Sequence, residues 1–294
     1  MKTSLAEQGT RIFACLAPRP PEPPKESASR AGRNLWLAVP TAIVLLAILG
    51  LSLIRMELFV GLVVIALGIA LWEMAGALKA GQFTIPLGPL LIGQCIMLIA
   101  TWNRGLDAAI LIYFLTCAVA IVWNARRPMG VTDAIAGCFA LGWLGLIGNF
   151  AVAMAAMPNS ALVILTFILL PVANDTGGWL VGILVGRHPI APSISPKKSW
   201  EGFAGSTVAT LLVAWLMCGH LLGMEWYWVI AFGVTTPIFA TAGDFAESLL
   251  KRDLGVKDMG SLFPGHGGML DRIDSILFCA PVCYFLFAFG FGLF

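Results

Sequence analysis

Between Asp244 and Asp274 the chain places six acidic side chains (Asp244, Glu247, Asp253, Asp258, Asp271, Asp274) and four basic ones (Lys251, Arg252, Lys257, Arg272), although its 294 residues hold only 16 Asp/Glu and 18 Lys/Arg in all. Strongly apolar segments flank this stretch on both sides. A helix over 243–252 puts Asp244, Ser248 and Lys251/Arg252 on one face, because positions four and seven or eight apart are neighbours there. One carboxylate and two cations would then line one cavity. Asp271 and Asp274, three apart, share a face at the start of the last apolar segment, where the helix dipole favours negative charge. Between these shoulders, Pro264-Gly265-His266-Gly267-Gly268 cannot continue a helix, and its glycines let backbone N–H groups approach a ligand closely. Carboxylates converging without bulky cover suit Mg²⁺, which binds through one or two carboxylates, several waters and substrate phosphates.

Three further polar stations accompany this one. Asn174-Asp175-Thr176-Gly177-Gly178 interrupts an apolar span about twelve residues before Arg187. An acid at that depth is either a site residue or a structural group bonded to a neighbouring helix. Ser195-Pro196-Lys197-Lys198-Ser199-Trp200-Glu201-Gly202 sets two lysines and two hydroxyls at a helix start, a pattern that suits an anion and serves equally as a charged membrane anchor. Glu73 and Asp133 flank the membrane without a motif, so snorkelling, helix capping and a site role stay open. Gly182 and Gly186 have the spacing of close helix packing. His188 and His220 read as surface or interface residues, and His266 as either a structural hydrogen-bonding group or a phosphate contact.

The run Ser248-Leu249-Leu250-Lys251-Arg252, followed after four residues by Lys257-Asp258-x-Gly260-x-x-Phe263-Pro264-x-His266-Gly267-Gly268-Met269-x-Asp271-Arg272-Ile273-Asp274, resembles the signature of the CDP-diacylglycerol synthase family, the phosphatidate cytidylyltransferases. More than a dozen constrained positions make this far more specific than a lone glycine-rich loop. The segment 195–202 resembles the family's second motif, and 174–187 is similar too, except that Gly178-Trp179 stands where Ala-Tyr is expected. The resemblance implies an integral membrane enzyme that joins CTP to phosphatidate, giving CDP-diacylglycerol and pyrophosphate with a divalent metal. Nucleotidyl transfer of this kind requires two anions to be neutralised and aligned rather than a strong base. On that reading Asp244 and Asp271 hold Mg²⁺, and Asp274 and Asp175 support it or a second ion, monovalent or divalent. Lys197, Lys198, Lys251, Arg252, Lys257 and Arg272 clamp phosphates beside Ser195 and Ser248. His266, Gly267 and Gly268 line the nucleotide side.

The elements that must carry these residues are membrane helices. The chain is 59% apolar and 12% charged with mean hydropathy +0.89, against about a quarter charged in soluble domains. Apolar runs at 35–54, 58–78, 87–101, 108–123, 131–157, 160–187, 202–222, 226–243 and 271–294 predict an all-α polytopic protein of about nine spans. The fifth and sixth are long, with a break expected near 142–148 or at Pro171. Residues 1–34, with six Lys/Arg and a Pro-rich run, read as a disordered basic tail, 35–157 as N-terminal membrane helices and 158–294 as the catalytic membrane unit. A cytoplasmic N-terminus and outer C-terminus leave sixteen Lys/Arg inside and only Arg55 and Arg104 outside. The acids and cations would then line a polar funnel open to the cytosol and inner leaflet. Splitting the sixth span into two would break this charge bias.

A net charge of +2 gives no support to nucleic-acid binding. The seven cysteines show no CxxC or zinc spacing and read as small buried hydrophobes. The compact chain and lack of a transit peptide suit a bacterial inner membrane, and small apolar helix faces would accommodate a homodimer without requiring one. Three other functions would demand different features of the chain. An ion transporter would spread polar residues over several spans instead of gathering them at one side. A CTP-using polyprenol or phytol kinase would transfer the γ-phosphate of CTP. A catalytically silent partner subunit would not need so intact a signature.

Overall fold

The structure, a computed structural model, describes residues 35–125, 130–260, 262 and 267–293, together with Pro18 and Pro20. The expected basic tail, Arg126, Arg127 and His266 therefore lie outside the described residues, as does the side chain of Lys197. Nine helical rods follow one another in the described residues, in the order and near the positions of the nine apolar runs: α1 Leu35–Ser52, α2 Met56–Ala80, α3 Leu87–Arg104, α4 Leu106–Asn124, α5 Gly130–Ala155, α6 Ser160–Val185, α7 Trp200–Leu221, α8 Trp226–Asp253 and α9 Leu270–Gly290. A short antiparallel hairpin, β1 Pro189–Ala191 and β2 Ser195–Ser199, separates α6 from α7. Among the described residues seven rods, α2 and α4 to α9, are long and apolar enough to cross a bilayer. In α3, Gln94, Asn103 and Arg104 dilute the apolar run. The protein is a polytopic, all-α membrane protein.

Several elements depart from the simplest reading of the pattern. The eighth rod does not stop at residue 243: the membrane helix and the charged shoulder form one continuous helix of 28 residues. In α5 the chain does not break but loosens into a π-helical turn at Leu141–Leu146, where Gly142 and Gly145 lie. Pro171 sits inside an unbroken α6. Pro237 removes an amide from the interior of α8, leaving the carbonyl four residues back without its usual partner. That carbonyl belongs to Gly233, and Thr210 Oγ1 of α7 donates to it at 2.7 Å. Neighbouring helices repair a proline in this way where water is absent.

The C-terminal half is held by backbone-to-backbone contact. Helix α6 packs more extensively on α7 than any other pair of elements does. A Cβ on Gly177 would lie 2.7 Å from Gly205 O, and one on Gly205 would lie 2.8 Å from Gly177 O. The glycine stripe runs through Gly177, Gly178 and Gly182 on α6 against Gly202 and Gly205 on α7, so Gly182 of the pair singled out in the sequence belongs to it, and the contact extends a turn deeper than that pair. Helices α8 and α9 meet as closely, since a Cβ on Gly243 would lie 2.8 Å from Asp274 O. The N-terminal rods supply much of the buried core through Leu67, Leu71, Met74, Leu90, Met97 and Leu98. Exposed Leu, Ile, Val and Phe side chains on α4 and α6 form an apolar exterior, as lipid contact requires.

Replacing Gly205 by Ala forces a methyl into backbone, an overpacking worth about 1–3 kcal/mol. The purified protein is expected to lose thermal stability in detergent, whereas Gly68→Ala, where nothing lies within 4 Å, leaves the melting temperature unchanged.

Candidate active site

Four elements converge at one end of the bundle: the hairpin, the charged end of α8, the start of α9 and the loop between them. The hairpin is anchored first. Glu201, in the first turn of α7, accepts from the amides of Arg187 and His188 at 3.1 and 3.2 Å, and its other oxygen lies 2.5 Å from His188 Nδ1. Ser199 closes the hairpin and caps α7, its Oγ accepting from the Gly202 amide at 3.1 Å. Register is thereby set for Lys198, whose ammonium pairs with Asp244 of α8 and lies 5.3 Å from the Phe245 ring centre. From the end of α8, Arg252 donates to Ser193 O in the hairpin turn. Two cation contacts thus tie hairpin to helix.

A second charged group lies one turn further along α8. Lys251 Nζ donates to Glu247 Oε2 at 2.7 Å and sits 2.5 Å from Asp271 Oδ1 of α9, with both carboxylates almost fully enclosed. Asp271 also accepts from the Gly268 amide at 2.7 Å and from the Met259 amide at 3.2 Å. Gly267 has φ +81, and a Cβ there would lie 2.9 Å from Asp271 Oδ2, so glycine is needed both for the backbone conformation and for the close approach. The loop is wrapped around one carboxylate. Glu247 and Asp274 face each other across α8 and α9, and the field of Asp244 reaches Asp274 as well.

A cavity of about 220 Å³ opens beside these groups, lined by Asn174, Asp175, Gly178, Lys198, Ser199 and Thr241 among others. Asp175 projects from α6 about 15 Å of helix before its end, its Oδ1 accepting from Asn174 Nδ2 at 3.0 Å. Ser206 Oγ donates to Asn174 O at 2.7 Å, which fixes the polar turn of α6 against α7. The fields of Asp244 and Lys198 reach Asp175. The cavity therefore joins an intramembrane acid to the cationic hairpin.

The structure brings Asp175, Lys198, Asp244, Asp274, Lys251 and Asp271 into one connected array. Asp244 and Asp271 are held by different lysines, and the carboxylates that feel the field of Asp244 are Asp274 and Asp175. Ser248 is half-buried on α8, Ser195 half-buried at the start of β2, and Gly268 buried, whereas Arg252 and Lys257 are exposed. Arg272 lies in the first turn of α9, where it makes an interaction of its own. Among the described residues no three His, Cys, Asp or Glu side chains converge as a ready metal cage. Glu247 belongs to the array although the sequence singled out only its charge; its i, i+4 spacing to Lys251 was the available signal. Ser199 and Asn174, which line the cavity, stand inside the polar motifs at 195–202 and 174–178, whereas Thr241 carries no signal of its own. Of the two acids left open, Asp133 accepts from the Thr84 amide at 2.9 Å and secures a loop, while Glu73 accepts from the Leu270 amide at 3.0 Å.

Residues 36–289 match the model of the cytidylyltransferase family. Among curated proteins, the phosphatidate cytidylyltransferase of Mycobacterium leprae is 35% identical over 283 residues, covering 88% of this chain and 89% of that protein. That of Mycobacterium tuberculosis strain H37Rv is 33% identical over 270 residues, covering 86% of this chain and 82% of the relative. That of Bacillus subtilis is 41% identical over 117 residues, covering 40% and 44%. With a family match across nearly the whole chain and relatives this similar over most of their length, this protein belongs to the cytidylyltransferase family.

Proposed function

We propose that this protein is a phosphatidate cytidylyltransferase that converts CTP and phosphatidate to CDP-diacylglycerol and pyrophosphate at the cytoplasmic face of a bacterial inner membrane. The observation that carries this reading is the array at one end of an apolar bundle, where Lys198 and Lys251 neutralise Asp244 and Asp271 beside a cavity reaching Asp175. Two anions that repel each other need such alternating charge to meet. A phosphate oxygen of phosphatidate attacks the α-phosphorus of CTP, the bond from that phosphorus to the bridging oxygen of the β-phosphate breaks, and pyrophosphate leaves with the electron pair. The nucleophile is already an oxyanion, so none of the carboxylates has to remove a proton from it.

The donor set is entirely hard oxygen, and the buried carboxyls of Glu247 and Asp274 face each other within hydrogen-bonding reach, a pairing that needs a proton or a cation between them. Such a set fits Mg²⁺, which is completed by water and substrate phosphate rather than by a full protein cage. Asp244, Asp271 and Asp274 would hold the ion, with Asp175 supporting it or a second one. When bound, Mg²⁺ supplies charge neutralisation at the phosphates. Lys198 and Lys251, here paired with Asp244 and Asp271, would be free to contact substrate phosphates where those carboxylates held the ion. Arg252, Lys257 and Arg272 would extend the cationic rim and the Gly267–Gly268 backbone would line the nucleotide side; the family motifs give the same two roles to Lys197 and His266, which lie outside the described side chains. Nine crossings, with the N-terminus inside and the C-terminus outside, open the polar funnel to the cytosol and let lipid enter sideways from the inner leaflet. Lys79, Arg187 and Lys198 then fall at the end that carries the array, and Arg55 and Arg104 at the turns of the opposite end. A reporter fused after residue 294 is expected to respond only from the outer side of the membrane.

In detergent with phosphatidate and Mg²⁺, label from [α-³²P]CTP is expected to enter lipid with release of pyrophosphate, and chelation by EDTA to stop it. Label entering from [γ-³²P]CTP instead would identify a lipid kinase and overturn the assignment. Asp271→Asn, in protein shown to be folded by its elution and melting profile, is expected to lower turnover by about 100-fold or more. Near-normal Mg²⁺-dependent conversion in that variant would remove Asp271 from the reaction.

A further inference from the structure

Glu73 is only 2% exposed, yet it belongs to α2, in the half of the protein that contributes no other carboxylate to the array. Its Oε2 accepts from the amide of Leu270, a residue 197 positions away. Leu270 opens α9, and the residue before it, Met269, offers no side-chain cap. The first amides of a helix have no partner within that helix, so α2 supplies the cap that α9 lacks. The rest of the carboxyl group is walled in by glycine. The Cβ positions of Gly260 and Gly268 both point into it, with Glu73 Cγ 2.7 Å from the first and Glu73 Cδ 2.8 Å from the second. Gly268 is thus gripped from two sides: its amide is bonded to Asp271, and its Cα rests on Glu73.

We propose that Glu73 is a positioning residue for nucleotidyl transfer, the seat on which the glycine loop and the first turn of α9 are clamped so that Asp271 is presented to Lys251 and to substrate. Glu73 itself touches neither reactant. The inference rests on the cytidylyltransferase reading of the same site. It makes the N-terminal membrane helices part of the catalytic geometry, because α2 sets where the last helix begins.

The test uses the full-length protein in detergent with labelled CTP and phosphatidate, turnover being scored per folded molecule. Glu73→Leu, of similar size but unable to accept a hydrogen bond, is expected to lower kcat at least 30-fold while KM for both substrates stays within about threefold. Glu73→Gln retains an acceptor for the Leu270 amide and is expected to recover at least a third of wild-type kcat. Gly260→Ala leaves Glu73 in place but drives a methyl into its carboxyl, and is expected to lower kcat tenfold or more. Glu73→Asp, one methylene shorter, combined with Gly260→Ala is expected to regain much of that loss. The proposal is overturned if Glu73→Leu keeps its turnover per folded molecule, if Glu73→Gln is as impaired as Glu73→Leu, or if Gly260→Ala is as active as wild type. Should Glu73→Leu yield no folded protein, the Gly260→Ala single variant and its double variant with Glu73→Asp decide the matter alone. Failure of the wild-type protein to transfer the cytidylyl group would instead sink the underlying assignment.

Discussion

Charge inside a membrane protein has to be answered locally, and that constraint organises this molecule. The bundle holds Asp175, Asp244, Glu247, Asp271 and Asp274 close to hydrocarbon, where an isolated carboxylate is expensive. Each lysine that enters the array answers an acid from another element or another turn: Lys198 from the hairpin meets Asp244, and Lys251 bridges Glu247 and Asp271. The result sets two lysines among five carboxylates, so that sign alternates at Asp244–Lys198 and at Glu247–Lys251–Asp271 while Asp274 sits among acids. A site that must join two anions needs that alternation in advance, since cations brought in only with the substrates would have to be ordered during the reaction.

Backbone proximity makes the array dense enough to work. Asp244 and Asp274 are neighbours because Gly243 lets α8 approach the backbone of α9. The polar turn of α6 stands beside the hairpin because glycines on α6 and α7 let those helices touch. Without hydrocarbon-to-water transfer to drive association, membrane helices pack through such close contacts and through side-chain hydrogen bonds. Thr210 on Gly233 O and Ser206 on Asn174 O are bonds of that kind. The glycines and hydroxyls of the C-terminal half position the charges, so packing and chemistry share the same residues.

The division into N-terminal and catalytic segments is therefore a division of sequence pattern more than of mechanics. The signature residues all come from α6 onward. Yet Leu254 of the loop packs against Gly81 at the end of α2, and Glu73 holds the first amide of α9. The early helices carry no recognisable motif and still shape the loop that does.

Much of this was legible in the chain of amino acids. Hydrophobic run length dictated a helical membrane protein, because only internally hydrogen-bonded segments survive in lipid. The crowding of acids and cations between Asp244 and Asp274, the intramembrane Asp175 and the lysines before Trp200 pointed to a candidate site, because such groups are rare beside hydrocarbon unless something uses them. Tertiary structure alone decided the pairing. Nothing in the spacing of one helix says that Lys198 meets Asp244 while Lys251 turns to Asp271, that Asp274 rather than Asp271 borders Asp244, or that Glu73 reaches Leu270. Sequence periodicity assigns residues to a face of their own element; which face it meets depends on helix crossings set by glycine contacts far along the chain, and these exist only once the bundle has closed.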